Sequence, residues 1–257
     1  MASLQNIKPA SRISGSTTPP ALREALYHIF SGCGEGLWLV GGTALAGYYA
    51  KHRRSDDLDL FAVDETAHRA ATLAAKSLKN KGALLTNERT TPNYYHADAQ
   101  FRGHPFTIDI VLDEHLHATG KAIQTQDKIW VADLPTLFAM KAACLISRCS
   151  EKDLFDLDWI LSHVPHFEIE NLIQAGAQFD GGLNVETLLI SLQGGTLHKE
   201  ACHFLLPKSS MTVAEAYKKI IALRETLIEK LMVYQKKLSL SNDAKALAQA
   251  VKDQKKI

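Results

Sequence analysis

Two aspartates in a short hydrophobic segment are the first residues that could do chemistry. Asp57 and Asp59 alternate with Leu58 and Leu60. In a β-strand, successive side chains point to opposite faces, so the two carboxylates would lie on one face, about 7 Å apart. Such carboxylates repel each other, and an oxygen-only ligand set without His or Cys suits Mg²⁺ or Mn²⁺. The alternative is an exposed acidic edge that begins with a turn at Asp56, but the leucines favour burial of the opposite face.

A glycine pair ahead of these aspartates is the second such feature. Gly41, Gly42 and Thr43 follow the apolar segment Leu37–Val40, which is typical of a short buried strand, and they open a helix predicted to extend to about Lys51. Backbone N–H groups at a helix start, next to residues without side chains, can bind an anion such as phosphate. The triplet alone is unspecific. Together with the aspartates it indicates a site where a phosphate group and a divalent metal could bind side by side.

A third aspartate stands in an alternating segment later in the chain. Within Phe106–Leu112, the apolar residues at every second position are expected to face the core, and Asp109 the opposite side. If this strand pairs with the one that holds Asp57 and Asp59, the three carboxylates form a site able to hold two metal ions. Considered alone, Asp109 is more often solvent-facing than catalytic.

Charged residues on two predicted helices could face such a site. Lys141 lies on the apolar stripe of its helix, and Arg148 follows two turns later on the same side. A lysine there either extends its amine to the surface or points to an anion in a cleft, and Arg148 favours the cleft. In the next helix, Asp153 is explained by an N-terminal cap at Ser150. Asp156 has no such explanation, and for it a structural ion pair and a substrate contact are equal alternatives.

The elements that must position these residues divide the chain into an α/β part and a helical part. In the first part we predict helices over 21–30 and 65–79 and strands over 37–40, 58–61, 83–87, 94–101 and 105–112, with a hairpin turn at 102–105. In the second part we predict helices over 134–149, 151–163, 168–178, 185–192, 213–237 and 243–252. The fold class is therefore α/β (α+β), with a small mixed sheet followed by a helical half. We expect a flexible arm over 1–20, an α/β domain over 21–132 and a helical domain over 133–257 that completes the active cleft.

Charge restricts the class of protein further. The chain has 257 residues, 46% hydrophobic and 22% charged, which is typical of a globular protein with a substantial core. Its 29 basic and 28 acidic residues give a net charge of +1, which excludes a uniformly basic nucleic-acid binder. The residues from Lys208 onward hold eleven basic and five acidic side chains. This basic tail is either a solvated helix face or a surface for nucleic acid or an acidic protein.

Two further classes are disfavoured. No apolar run approaches the roughly 18 to 20 residues of a membrane span, and the first twenty residues lack the apolar core of an export signal. We therefore expect a soluble, cytoplasmic protein without a membrane partner. Cys33, Cys144, Cys149 and Cys202 have no zinc-site spacing and are expected to be reduced thiols.

Two blocks of the sequence resemble a known family. The first is Gly42-Thr43, thirteen residues, and then Asp57-Leu58-Asp59, within the longer segment Arg53–Phe61. The second contains Lys141-Ala142-Ala143, Arg148 and the segment Lys152–Leu157. Both are similar to the AbiEii/AbiGii-type nucleotidyltransferases, the toxins of type IV toxin–antitoxin and abortive-infection systems. That family lies within the DNA polymerase β-like nucleotidyltransferase superfamily.

This resemblance implies a polymerase β-like core and metal-dependent transfer of a nucleoside monophosphate from an NTP, with Mg²⁺ or Mn²⁺ as cofactor. The acceptor would be tRNA or another RNA, and a cognate antitoxin would be a further partner. The implied roles are metal binding by Asp57 and Asp59, a third ligand or base at Asp109, triphosphate binding by Gly41, Gly42 and Thr43, phosphate contact by Lys141, organisation of the nucleotide or acceptor by Asp156, Arg148 and Asp153, and a place at the mouth of the site for Ser55.

Two alternatives remain open at this point. The first is a nucleotidyltransferase that modifies a small molecule and has no toxin role. The second is a catalytically silent member that binds RNA or a protein partner through its basic tail.

Overall fold

The alternating segments of the first half pair into one mixed sheet. The structure is a computed structural model that describes residues 2–254, with side chains described for residues 3–116 and 118–239. The strands are β1 Leu37–Leu39, β2 Asp57–Ala62, β3 Leu84–Thr91, β4 Tyr94–Phe101, β5 His104–Leu112, β6 Ala122–Gln124 and β7 Trp130–Ala132. Their order is β3-β4-β5-β2-β1-β7-β6. β2 is parallel to β5 and β1 is parallel to β7, while the other neighbours are antiparallel.

Helices cover the sheet and form the whole of the second half. They are α1 Ala2–Gln5, α2 Pro20–Ser31, α3 Gly41–Ala44, α4 Glu65–Ser77, α5 Leu116–Thr119, α6 Leu134–Ser147, α7 Glu151–Leu161, α8 Ile169–Gly176, α9 Val185–Gly194 and α10 Val213–Gln254. The starts of α6 and α7 are capped by the side chains of Asp133 and Ser150, which accept backbone N–H groups of their first turns. The predicted α/β class is confirmed.

The register of β2 and β5 separates a core face from a polar face. Leu58 lies beside Ile108 and Leu60 beside Ile110, and all four side chains are fully buried. Because the side-chain period of a strand is two, this pairing turns the odd-numbered residues of both strands to the opposite face. The hydrophobic pattern therefore fixes the face on which the aspartates lie.

A tight hairpin joins β4 to β5, as predicted. Phe101 and His104 are paired, and the two residues between them have positive φ, 49° at Arg102 and 78° at Gly103. Positive φ at both central residues is the signature of a type I′ turn, whose twist matches that of the flanking strands.

Several boundaries differ from those predicted. β6 and β7 have three residues each, too few to show an alternating pattern, and they were not predicted. The helix after the glycine pair continues from α3 as a π-helical turn over Leu45–Ala50. The two helices predicted over 213–237 and 243–252 are wrong, because α10 is continuous and residues 238–242 contain no Gly or Pro to interrupt it. The tail lysines after residue 239 lie outside the described side chains.

The arm predicted over residues 1–20 is wrong for its described part, which packs onto the body. Leu4 is fully buried and Ile13 is nearly so. The Ile13 amide donates to the Asp127 carboxylate at 3.0 Å, and the Ala10 amide donates to the carbonyl of Tyr48 at 2.7 Å. A few widely spaced anchors hold this polar segment, and such anchors leave no periodic pattern in the sequence.

Two expectations from composition can also be compared with the structure. Among residues 2–254, we find no helix with both the length and the apolar character needed to cross a membrane. All four cysteines are free thiols, as expected. The strands all precede residue 133, and every later element is helical.

The packed arm yields a stability prediction. Leu4→Ala is expected to lower the free energy of unfolding by about 2–4 kcal/mol, because it empties a fully buried position. Leu73→Ala is the matched control, since 62% of Leu73 is exposed, and it should cost less than about 0.5 kcal/mol. Urea unfolding of both variants measures the difference. Equal small effects would mean that the arm is loose in solution.

Candidate active site

Three carboxylates lie together on the polar face of the sheet. The parallel register of β2 and β5 places Asp59 directly opposite Asp109. Asp57 lies two residues before Asp59, on the same half-buried side of β2. Because neighbouring strands are about 4.8 Å apart, the fold brings together the three aspartates that the sequence singled out.

The negative charge of this cluster is only partly compensated. Burial, together with the negative charges of Asp57 and Asp109, raises the pKa of Asp59 to about 6, against the opposing charges of Lys141 and Arg148. Within the described residues, no three His, Cys, Asp or Glu side chains are already close enough to enclose an ion. The cluster is thus an acidic surface on which a cation would relieve repulsion, and side-chain rotation would be needed to surround it.

Asp57 is held from two sides. The Thr107 hydroxyl donates to Asp57 Oδ1 at 3.0 Å. The amine of Lys152 lies 3.6 Å from Asp57 Oδ2, and this lysine side chain is 46% exposed. Sequence reasoning gave Lys152 no role, although it stands inside the second block of the family resemblance. Its position in the first turn of α7 is what directs it to β2.

Asp109 is held by two residues of β4. The Tyr94 hydroxyl donates to Asp109 Oδ1, and His96 Nδ1 lies 2.9 Å from the same oxygen. Burial and this carboxylate raise the pKa of Tyr94 to about 12, so its hydroxyl stays protonated as a donor. In the described part of the chain, the Asp59 carboxylate between these two anchored neighbours accepts no hydrogen bond.

The glycine pair lies directly against the cluster. Gly41 has φ +64°, and a Cβ at this position would stand 1.9 Å from Asp59 Oδ2. Only glycine accommodates both the left-handed backbone and this close approach. No side chain caps the start of α3, at Val40. The first amides of this helix, which have no intrahelical acceptor, are therefore free to bind an anion beside the carboxylates.

The structure corrects the expected positions of Thr43 and Ser55. Both side chains are buried, Thr43 completely and Ser55 to 99%. The Thr43 hydroxyl contacts Ser55 Oγ at 2.9 Å and donates to the carbonyl of Asp57, while the Ser55 amide donates to the carbonyl of Thr17. Ser55 is therefore not at the mouth of the site. The two hydroxyls join the glycine turn to the start of β2, and Thr43 has no surface exposed to a ligand.

A buried ion pair supports the glycine turn from below. Arg53, 98% buried, binds Asp156 through two hydrogen bonds, from Nε at 2.6 Å and Nη2 at 2.8 Å. His52 and Lys141 also contact the Asp156 carboxylate, at 2.9 and 2.8 Å. A Cβ on Gly42 would stand 2.5 Å from Arg53 Nη2, so the turn lies directly on the guanidinium. Burial alone would raise the pKa of Asp156, but Arg53 and Lys141 hold it well below its usual range.

Asp153 forms the second half of this network. It accepts from Lys141 at 2.7 Å, from Arg148 Nε at 2.8 Å and from the Ser150 hydroxyl at 2.6 Å. Burial would raise the pKa of Asp153, but the charges of Lys141 and Arg148 outweigh it and hold the pKa below its usual range. The network joins α6 and α7 rigidly beside the sheet.

These contacts divide the charged residues of α6 and α7 into those that are buried and those that a ligand could reach. Lys141 points to anions, as its place on the apolar stripe suggested, but the anions are the carboxylates of Asp153 and Asp156. Asp156 has no exposed surface, so the ion-pair alternative holds and its expected contact with the nucleotide is corrected. Arg148 differs, because 61% of its side chain is exposed, and its charge acts to lower the pKa of Asp59. Arg148 and Lys152 are thus the accessible cations at the rim.

The family can now be assigned. A family model described as the nucleotidyl transferase AbiEii toxin of type IV toxin–antitoxin systems matches residues 24–201, which include every site residue named above. This chain belongs to the AbiEii family. It is accordingly a nucleotidyltransferase toxin, and the resemblance drawn from its two sequence blocks is confirmed. A comparison with curated protein sequences finds no match.

One solved structure agrees with this assignment at the level of the fold, and a second is similar at a lower TM-score. MenT4, a nucleotidyltransferase toxin from Mycobacterium tuberculosis, is 14% identical with a TM-score of 0.53, over 82% of this chain and 81% of that one. JHP933 from Helicobacter pylori is 17% identical with a TM-score of 0.48, over 86% of this chain and 95% of that one. The likeness to MenT4 shows the nucleotidyltransferase fold in this AbiEii protein.

The contact between the glycine turn and the carboxylates predicts unequal effects of two glycine substitutions. Gly41 and Gly82 both have positive φ, where a side chain costs about 1–2 kcal/mol. At Gly41 a Cβ would also collide with Asp59, whereas among the described residues no atom lies within 4 Å of a Cβ at Gly82. Urea unfolding should show a larger loss of stability for Gly41→Ala than for Gly82→Ala. Equal losses would contradict the close approach.

The raised pKa of Asp59 predicts a pH-dependent stability. Its folded value of about 6 lies above the ordinary 3.8, so without metal the wild type loses stability as the pH rises from about 4 to 6 and the carboxylate ionises. Asp59→Asn should therefore be more stable than wild type near pH 7, with a difference that fades toward pH 4. Urea unfolding across this range measures it, with Glu114→Gln at an exposed position as control. A pH-independent difference would contradict the shift.

Proposed function

We propose that this protein transfers a nucleoside monophosphate from an NTP to an RNA acceptor, tRNA or another RNA, in a reaction that depends on Mg²⁺ or Mn²⁺. The observation that carries the proposal is the position of the uncapped glycine turn against three carboxylates on adjacent strands. Anion-binding amides next to a cation-binding surface match the two halves of a metal–triphosphate complex.

The chemistry of the donor set fits a hard divalent cation. Asp57, Asp59 and Asp109 offer only oxygen ligands, and the raised pKa of Asp59 reflects a repulsion that such a cation would remove. When bound, Mg²⁺ or Mn²⁺ would neutralise charge on the phosphates and favour ionisation of the attacking hydroxyl. The three aspartates would hold it after small rotations of their side chains.

The remaining accessible groups divide between the phosphates and the acceptor. The amides of the glycine turn at Gly41 and Gly42 would bind the phosphate chain, with the buried Thr43 supporting the turn, while Arg148 and Lys152 would bind its outer oxygens from the rim. Attack of an acceptor hydroxyl on the α-phosphate would form the new phosphate ester and release pyrophosphate. Asp109, as ligand or base, would receive or orient the hydroxyl proton.

The buried residues would act indirectly. Lys141, Asp153 and Asp156 have almost no exposed surface, so we assign them to the alignment of α6 and α7 with the sheet. The helical part completes the proposed cleft through Arg148 and Lys152, which lie at the end of α6 and in the first turn of α7.

The basic C-terminal helix α10 would act away from the carboxylates. Lys219 of α10 pairs with Asp158 of α7, whereas Lys152 of α7 faces Asp57. The six-residue spacing of Lys152 and Asp158 puts them on different sides of α7. We therefore assign α10 to more distant contacts with the RNA or a protein partner. The family's type IV classification supports a cognate antitoxin as a further partner, and we propose the cytoplasm as the place of action.

The activity is tested with labelled NTPs, Mg²⁺ and total RNA. Asp57→Asn should reduce label incorporation by more than about 100-fold, because the loss of an outer partner of a metal ligand alone commonly costs about 10- to 100-fold. Asp158→Asn is the matched control on the other side of α7 and should retain activity. Growth arrest on expression should follow the same order. Full activity of Asp57→Asn, or no incorporation and no NTP binding by the wild type with any metal, would contradict the proposal.

A further inference from the structure

The two oxygens of the Asp109 carboxylate differ in their hydrogen bonding. Asp109 Oδ1 receives the Tyr94 hydroxyl at 2.5 Å and lies 2.9 Å from His96 Nδ1. In the tautomer with its proton on Nδ1, the imidazole donates to this oxygen as well. Within the described residues, Asp109 Oδ2 accepts no hydrogen bond. Both donors therefore occupy one oxygen and leave the other available.

The backbone register places these donors beside Asp109. β4 and β5 are antiparallel, with His96 directly opposite Asp109 and Tyr94 opposite Val111. Directly opposed residues have Cβ atoms about 4.5–5.5 Å apart, close enough for short side chains to bond across the pair. The rings of Tyr94 and His96 are stacked, with centroids 6.3 Å apart and an interplanar angle of 21°, so each ring restricts rotation of the other.

The far side of the imidazole lies near a second carboxylate. His96 Nε2 lies 3.4 Å from Asp98 Oδ1, and the other oxygen of Asp98 accepts from the Asn87 amide at 2.5 Å. The Nδ1–H tautomer donates only to Asp109, whereas an imidazolium, with a proton on each nitrogen, would donate to both carboxylates. The ring is also only 22% exposed, so its orientation is defined by the sheet and not by solvent.

We propose that Tyr94 and His96 are positioning residues that lock the Asp109 carboxylate by Oδ1 and thereby present Oδ2 to the catalytic cation. The inference rests on the proposed function and extends it from the three aspartates to their neighbouring strand. A free aspartate rotates broadly about its terminal torsion. Next to the ionised Asp59, an unanchored Asp109 would turn outward to water, so the two donors hold it against the repulsion that the cation later removes.

The proposal predicts a specific pattern of loss. Outer partners of metal-ligating groups typically contribute about 10- to 100-fold in metal affinity or activity. His96→Leu removes the donor, whereas His96→Asn retains an N–H group near the position of Nδ1. Tyr94→Phe removes only a hydroxyl. His96→Leu and Tyr94→Phe should bind the metal more weakly than the wild type, and His96→Asn should retain most of the wild-type affinity.

The fold supplies a matched control in a second His–Asp pair. His104 Nε2 lies 3.0 Å from Asp56 Oδ1, and His104 is 25% exposed, close to the value for His96. His104 is also stacked, on Phe106, with ring centroids 6.5 Å apart. Asp56 has no part in the proposed metal set, so His104→Leu should leave metal affinity unchanged.

The experiment measures Mn²⁺ binding to the full chain by electron paramagnetic resonance of free Mn²⁺, without nucleotide or RNA, followed by kcat and the KM for NTP. We expect about 10-fold weaker Mn²⁺ binding and a lower kcat for His96→Leu and Tyr94→Phe, with the KM for NTP little changed. We expect recovery in His96→Asn and no effect in His104→Leu. A structural role alone would not give this split, and urea unfolding checks that each variant is folded.

Two outcomes would overturn the inference, and they are distinguishable. If the wild type binds Mn²⁺ and transfers nucleotide while His96→Leu and Tyr94→Phe bind Mn²⁺ equally well, the locking role is wrong and the proposed function stands. If the wild type neither binds Mn²⁺ nor transfers nucleotide, the proposed function fails and this inference fails with it.

Discussion

The buried pair of Arg53 and Asp156 is the interaction on which the rest of the site depends. It joins Arg53, which lies four residues before β2, to the middle of α7, and Gly42 lies on the guanidinium. Lys141 of α6 meets the same carboxylate, so the glycine turn, the aspartate strand and both helices converge on one pair of charges. A buried ion pair adds little net stability compared with apolar packing, but removal of one partner leaves an uncompensated charge inside the protein. Its contribution here is to fix positions.

The aspartates near this pair carry the same charge but lie in different surroundings. Asp153 and Asp156 are buried deeply and stay ionised because cations surround them. Asp59 receives no such help from hydrogen-bond donors, and its pKa rises to about 6. The protein thus satisfies the carboxylates that hold it together, and among the described residues it leaves Asp59 on the polar face of the sheet without a hydrogen-bond donor. This contrast separates the aspartates of the buried network from those that we propose to bind the cation.

The sequence predicted what depends on local periodicity. Alternation in two short segments predicted polar strand faces for Asp57, Asp59 and Asp109. The pairing of β2 with β5 places all three on the same face of the sheet. Contacts between distant segments were not predictable in this way. The burial of Ser55, the approach of Lys152 to Asp57 and the partners of Asp156 all depend on contacts between residues far apart in the sequence, which no periodic pattern records. The sequence did not single out His96 for the same reason, because its contact with Asp109 depends on the pairing of β4 with β5.

The sequence separation within the Arg53–Asp156 pair has a consequence for biosynthesis. The two residues are 103 positions apart, and the Asp127 that receives the amide of Ile13 is 114 positions from it. A ribosome making this chain exposes the glycine turn and the first two aspartates long before either long-range contact can close. Until α7 has left the exit tunnel, Arg53 has no counter-charge and the turn has no rigid support. The glycine turn of the nascent toxin therefore gains its support only after α7 has emerged from the ribosome.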